Sequence, residues 1–182
     1  MIYLLVALPA ELPDTSGLGP DFTVIWTGVG KINAAFHAIQ AASQADCEKI
    51  INYGTAGTLT PALAGQFLRV SKIFQRDMDG RPLAEMGVTP FEEGALAGAI
   101  DLGCEGVTLS TGDNFVREAP AVASDIVDME AYAIAKICAR LAIPFECYKY
   151  VTDLADENAT ANWRDNVALG AEKIIAQLTS PA

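Results

Sequence analysis

A chain of 182 residues, just over half of them hydrophobic and 19% charged, is long enough to bury a substantial core and too apolar for a disordered segment. Twelve basic residues against 23 acidic ones give a net charge of −11, a field that repels nucleic acid and anionic membrane surfaces. The four cysteines, Cys47, Cys104, Cys138 and Cys147, show neither a CxxC pair nor a histidine-linked zinc spacing, and they read as reduced thiols of a cytoplasmic protein.

The opening MIYLLVALPAELPD carries no basic segment ahead of its short apolar run, so it reads as a buried first strand over 2–7 and not as a secretion signal. Further strand patterns follow at 22–27, 49–53, 67–74, 107–110 and 145–152, and helical patterns at 32–43, 129–141 and 162–178. In the first helix Ile32, Phe36 and Ile39 form the apolar face, opposite Asn33, His37, Gln40 and Gln44. Residues 75–106 hold a solvated turn, DMDGRP, and a weak, glycine-diluted helix, GALAGAIDLG. In the second helix Glu130 lines up with Ile134, Ile137, Cys138 and Leu141, while Met129, Tyr132, Lys136 and Arg140 take the solvent side. Glu130 therefore points inward, either as a partner of the helix dipole or as a carboxylate with other work. Strands alternating with helices predict an α/β sandwich around a mixed, mostly parallel sheet, in one domain over 1–182. No apolar run approaches the roughly 18 residues of a membrane span.

Polar or glycine-rich segments follow most strands: LPAELPD, TGVGKINAA, NYGTAGTL, STGDNFV and VTDLADENAT. Sites in such sheets form at the carboxyl ends of strands, which collects Glu11, the Gly28 and Gly30 backbone, Thr55, Ala56, Gly57, Asp113, Asn114, Phe115, Val116 and Asp153 near one edge. TGVGKINAA lacks the third glycine of a dinucleotide fingerprint and the ending of a P-loop, leaving a phosphate cradle or a tight strand-to-helix turn. Phe115 can stack a planar base or pack in the core. Asp153 can be an acid or a cap. His37, the one histidine, lies on a polar helix face, which argues against a Ser-His-Asp or Cys-His engine and against a histidine-held metal; Asp77 and Asp79 suit a turn better than a magnesium site. Carboxylates remain: Glu11, Glu130 and Asp153. Three acids around a sugar suit cleavage of a bond to an anomeric carbon, one protonating the leaving group, one activating water and one offsetting cationic charge.

Taken in order along nearly the whole chain, TGVGKINAA, NYGTAGTL, STGDNFV, VDMEAYAIAKIC and VTDLAD resemble the nucleoside phosphorylase/nucleosidase superfamily, and within it most closely the methylthioadenosine/S-adenosylhomocysteine nucleosidases. The resemblance implies a three-layer α/β/α sandwich, a homodimer, and hydrolysis of the N-glycosidic bond of an adenine nucleoside without metal or organic cofactor. It implies Asp153 at the purine N7, Glu130 and Met129 on the ribose, Glu11 on the attacking water, Phe115 stacked on the base, the Val116 backbone at the base edge, and Thr55, Ala56 and Gly57 lining the pocket. The phosphorylases of this family carry an arginine-bearing phosphate segment after the first strand, where this chain has ALPAELPD, so hydrolysis is preferred to phosphorolysis. Three alternatives stay open: a futalosine-type hydrolase, a phosphate-dependent purine nucleoside phosphorylase, and a non-catalytic nucleoside-binding relative. The chain is short for the family over residues 72–106, and Lys149 stands where an arginine is common.

Overall fold

The computed structural model describes residues 1–154 and 159–180. Its strands are β1 (Ile2–Val6), β2 (Phe22–Trp26), β3 (Lys49–Thr58), β4 (Phe67–Gln75), β5 (Ile100–Asp101), β6 (Val107–Thr111), β7 (Ile126–Asp128) and β8 (Phe145–Leu154). The helices are α1 (Lys31–Ala42), α2 (Ala131–Leu141), α3 (Ala159–Asn166) and α4 (Ala171–Thr179). Strands such as β1, apolar on both faces, require cover on both sides, and the helices supply it.

The sheet runs β2-β1-β3-β7-β6-β4-β5, and β8 pairs with both β3 and β4. That double pairing closes β3, β8, β4, β6 and β7 into a ring, with β1 and β2 extending from it. The pairing is mixed and mostly parallel: β1 lies parallel to β2 and β3, β3 to β8, and β6 to β4 and β7, whereas β7 meets β3, and β4 meets β5 and β8, antiparallel. Val70, Ile73, Leu109, Ile126 and Val151 form one apolar cluster with Tyr132 and Ala135 of α2. α1 and α2 pack together on one side through Ala34, Ala38, Ala41, Ile134 and Cys138 against Leu5 and Ile50. On the other side Ile174 of α4 joins Leu4, Val6, Tyr53 and Tyr148, completing the three layers. No helix among the described residues is long and apolar enough to cross a membrane.

Several expectations are corrected. α1 turns its alanines inward, and Ile32, Phe36 and Ile39 are exposed. Two apolar stripes run along this helix, and the small one wins because alanines let α1 approach α2 and the sheet closely. On α2, Tyr132 is buried and Leu141 half exposed. The reason is residues 89–96, which fold over that face: Tyr132 Oη reaches the Leu96 carbonyl, and Lys136 binds Thr89 and Glu92. In place of a weak helix, GALAGAIDLG forms a short 3-10 turn, Gly94–Leu96, and the edge strand β5. The third helical pattern breaks into α3 and α4 at Gly170, which lies against the rings of Tyr53 and Tyr150. The DMDGRP turn keeps Asp77 exposed as expected, with Lys31 paired to it at 2.5 Å. The short β7 was not expected; three residues are too few for a periodicity to register.

Leu109 is fully buried between Ile73 and Ile126 in the ring. Leu109→Ala is expected to lower the unfolding free energy by about 2–5 kcal/mol, measured as the shift of the urea midpoint.

Candidate active site

A cavity of about 210 Å³ opens where β1, β3, β6, β7 and β8 end. The structure brings Glu11, Glu130 and Asp153 to its wall, together with Thr55, Ala56 and Gly57 of β3 and with Phe115, Val116 and Met129. β1 stops at Val6 while β3 continues to Thr58, and the 3-10 turn Pro9–Glu11 fits into the opening between them. Glu11 is almost fully buried. Its Oε1 accepts from the Thr55 N–H and hydroxyl, both at 2.8 Å, and its Oε2 from the Leu8 N–H at 3.0 Å. Three donors fix the carboxylate in place.

Glu130 occupies the position just before α2 and not the helix stripe expected of it. It is buried because another helix end receives it: the Gly30 N–H at the start of α1 donates to Glu130 Oε1 at 2.9 Å. Gly28 and Gly30 both have positive φ, 77° and 94°, so the TGVG segment is a tight turn whose freed amide holds a side chain of the same protein. Asp113 does the same one residue on, accepting the Lys31 N–H at 2.8 Å. The positive end of α1 thus gathers two carboxylates.

Asp153 lies inside β8, where a register shift pairs it with Gly57, and its Oδ2 accepts the Thr152 hydroxyl at 2.7 Å. Residues 155–158 of the VTDLADENAT segment lie outside the described residues. α3 covers the cavity beyond them: Trp163 Nε1 donates to Thr55 Oγ1 at 2.9 Å and Asn166 to the Thr152 carbonyl at 2.8 Å. Phe115 is half exposed at the rim and Val116 is buried beside Val127. His37 bonds the Asn33 carbonyl and is absent from the cavity wall. The wall also includes Arg76, Asp128 and Trp163, none of which was singled out from the sequence. Asp128 had a readable signal, as the acid two places before Glu130 in DIVDME. Trp163 had none, because its α3 helix meets the site only in three dimensions.

Comparison with known proteins decides the family. The model of the phosphorylase superfamily matches residues 18–180. The chain belongs to the phosphorylase superfamily. It is 25% identical over 178 residues to a 5'-methylthioadenosine/S-adenosylhomocysteine nucleosidase of Marinomonas sp. (strain MWYL1), covering 85% of this chain and 77% of the relative. A nucleosidase of the same description from Buchnera aphidicola subsp. Schizaphis graminum is 28% identical over 185 residues, covering 84% and 75%. Among solved structures, a futalosine hydrolase mutant of Helicobacter pylori strain 26695 superposes with a TM-score of 0.82 at 17% identity, covering 96% of this chain and 94% of that one. The 5'-methylthioadenosine/S-adenosylhomocysteine nucleosidase of Helicobacter pylori gives 0.80 at 17% identity, covering 97% of each.

In this phosphorylase-superfamily chain the acids are balanced from beneath. Lys149 and Asp128 form a fully buried ion pair at 2.8 Å. Burial disfavours the Lys149 charge, but Asp128, Cys147 and Glu130 outweigh it and hold the ammonium above its ordinary range. Glu130 is pushed up to about 7, first by burial and then by Asp128, against the pull of Lys149 and the Gly30 amide. A raised acid binds its proton more tightly in the folded state. The stabilisation from its protonated form is complete below about 4.5 and is lost as pH rises through about 7. Glu130→Gln keeps the acceptor for Gly30 and removes this loss, so at pH 8 the variant is expected to be more stable than the parent by on the order of 2 kcal/mol, with no such gain at pH 4. Urea unfolding at the two pH values measures it.

Proposed function

We propose that this chain is a purine nucleosidase that hydrolyses the N-glycosidic bond of an adenine nucleoside of the methylthioadenosine/S-adenosylhomocysteine type. The observation that carries this reading is the convergence of Glu11, Glu130 and Asp153, all buried, on one cavity with an aromatic ring at its rim. The names of the relatives above support it.

In the proposed reaction the base lies against Phe115, its edge read by the Val116 backbone, and Asp153 gives a proton to N7. The bond from C1′ to the base then breaks with its electron pair on the purine. Ionised Glu130 accepts the ribose hydroxyls beside Met129 and offsets the growing positive charge on the sugar. Glu11, held by Thr55 and Leu8, orients a water and takes its proton as the oxygen attacks C1′. Thr55, Ala56 and Gly57 line the sugar side. Water suits this site better than phosphate. Arg76 and Lys149, the buried cations nearby, are committed to backbone carbonyls and to Asp128, so a phosphate dianion beside Glu11 would cost on the order of several kcal/mol. A second reading, a futalosine-type hydrolase, is favoured by Arg164 at the exposed rim, a cation suited to an anionic group on the sugar's 5′ side.

The protein is proposed to be a cytoplasmic homodimer. Four free thiols support a reducing compartment. Exposed Ile32, Phe36 and Ile39 form one stripe along α1 of the kind that a second copy covers. Phe36→Glu is expected to convert a dimeric mass to a monomeric one in light scattering.

The assay is incubation of purified protein with methylthioadenosine, adenosylhomocysteine, adenosine and futalosine, without and with phosphate, followed by product identification. Free base and free ribose derivative without phosphate support the proposal, ribose 1-phosphate supports phosphorolysis, and no free base from any of the four defeats it. Asp153→Asn is expected to lower kcat by about two orders of magnitude or more with the fold intact. The parent's kcat/KM is expected to rise with pH through about 7 as Glu130 ionises.

A further inference from the structure

Arg76, the residue after β4, is the one buried guanidinium in contact with the cavity among the described residues. Its Nη1 donates to the carbonyls of Ser110 and Asp128, each at 2.7 Å, and its Nη2 to those of Gly112 at 3.0 Å and Asn114 at 2.6 Å. Four carbonyl oxygens converging on one point repel each other unless a cation with several donors stands between them. A guanidinium meets that demand with donors fixed in a plane; an ammonium has three donors and no fork.

The carbonyls come from two walls. Ser110, Gly112 and Asn114 lead directly into Phe115 and Val116, and Asp128 leads into Met129 and Glu130. The Gly112 N–H also donates to the Asp128 carbonyl at 3.1 Å, so the same point joins the two segments. Next door, Asp77 accepts the Asp113 N–H at 2.9 Å and holds Lys31, a second tie on the same loop. Gly112 leaves no free space around the cation: a Cβ there would lie 3.0 Å from Arg76 Cγ and Cζ.

We infer that Arg76 is a positioning residue, which sets the distance between the wall carrying Phe115 and Val116 and the wall carrying Met129 and Glu130, and thereby the fit of a purine nucleoside between them. The inference rests on the functional reading above for the identity of the ligand, but not for the loop's dependence on Arg76. It requires no contact between Arg76 and substrate.

The test is Arg76→Lys in the full chain, which keeps the charge and loses the fork. Adenine affinity by calorimetry is expected to fall by about tenfold or more, KM to rise by a similar factor and kcat to change by less than about threefold. Amide hydrogen exchange without ligand is expected to accelerate at 112–116 and at 128–130. If Arg76→Lys does not fold, Gly112→Ala, whose Cβ would lie 3.0 Å from Arg76 Cγ and Cζ and press on the side chain, is measured in the same way, with the same outcomes deciding. Unchanged adenine affinity and KM, or a loss confined to kcat, would overturn the inference. A parent protein that neither binds nor cleaves any purine compound defeats the functional reading, while exchange at 112–116 still decides whether Arg76 holds the loop.

Discussion

The buried Lys149–Asp128 ion pair is the interaction on which the rest of the site depends. Burying acids around one small cavity is costly unless charge and hydrogen bonds offset it. Asp128 meets that condition fully: Oδ2 takes the Lys149 ammonium and the Ala131 N–H, and Oδ1 takes the Thr111 hydroxyl at 2.6 Å. Because Ala131 opens α2, the pair also fixes where that helix starts, and so where Glu130 stands. Lys149 is a strand residue of β8, four places before Asp153. Two separate segments are thereby located by one ion pair.

The other acids rely on backbone. Glu11 is held by two amides and a hydroxyl, and Glu130 by the first free amide of α1. The orphan N–H groups of a helix end commonly bind a ligand anion; in this chain side-chain carboxylates use them instead. Glu130 keeps a raised proton affinity because one amide and a shared ammonium do not fully offset its burial beside Asp128. Glu11, with three donors, is the better satisfied of the two. The site therefore contains carboxyls in unequal surroundings, the arrangement that separates acid and base duties in hydrolytic sites.

Ring closure accounts for the cavity's position. β8 bridges β3 and β4, which draws the ends of β6 and β7 toward β3, while β1 ends early and leaves the opening that Glu11 occupies. Below the strand ends, side chains such as Leu109 and Ile73 pack in one cluster with α2; beyond the strand ends, loops diverge and space remains. α3 covers that space with the bond from Trp163 to Thr55, so the residue that holds Glu11 also anchors the cover.

Local chemistry, and therefore sequence, determined the strand-helix alternation, the glycine turn at 28–30, and the residue types available for chemistry, since a lone histidine on a polar helix face left carboxylates to carry it. TGVGKINAA, NYGTAGTL, STGDNFV and VTDLAD were legible because each follows or closes a predicted strand, and VDMEAYAIAKIC because it opens a predicted helix. Tertiary structure decided the remainder. Which stripe of α1 faces inward depended on how closely it must approach α2, and Tyr132 is buried because a distant, pattern-poor segment folds over it. Glu130 was expected inward for its place on a helix stripe, yet it is buried as the residue before that helix, tied to an amide a hundred positions away. Arg76 and Trp163 stayed invisible for the same reason, and Lys149 was noticed only as a departure from the family pattern: periodicity reports which face of an element is apolar, whereas a buried cation or a covering helix is defined by partners that only the closed ring of strands brings within hydrogen-bonding distance.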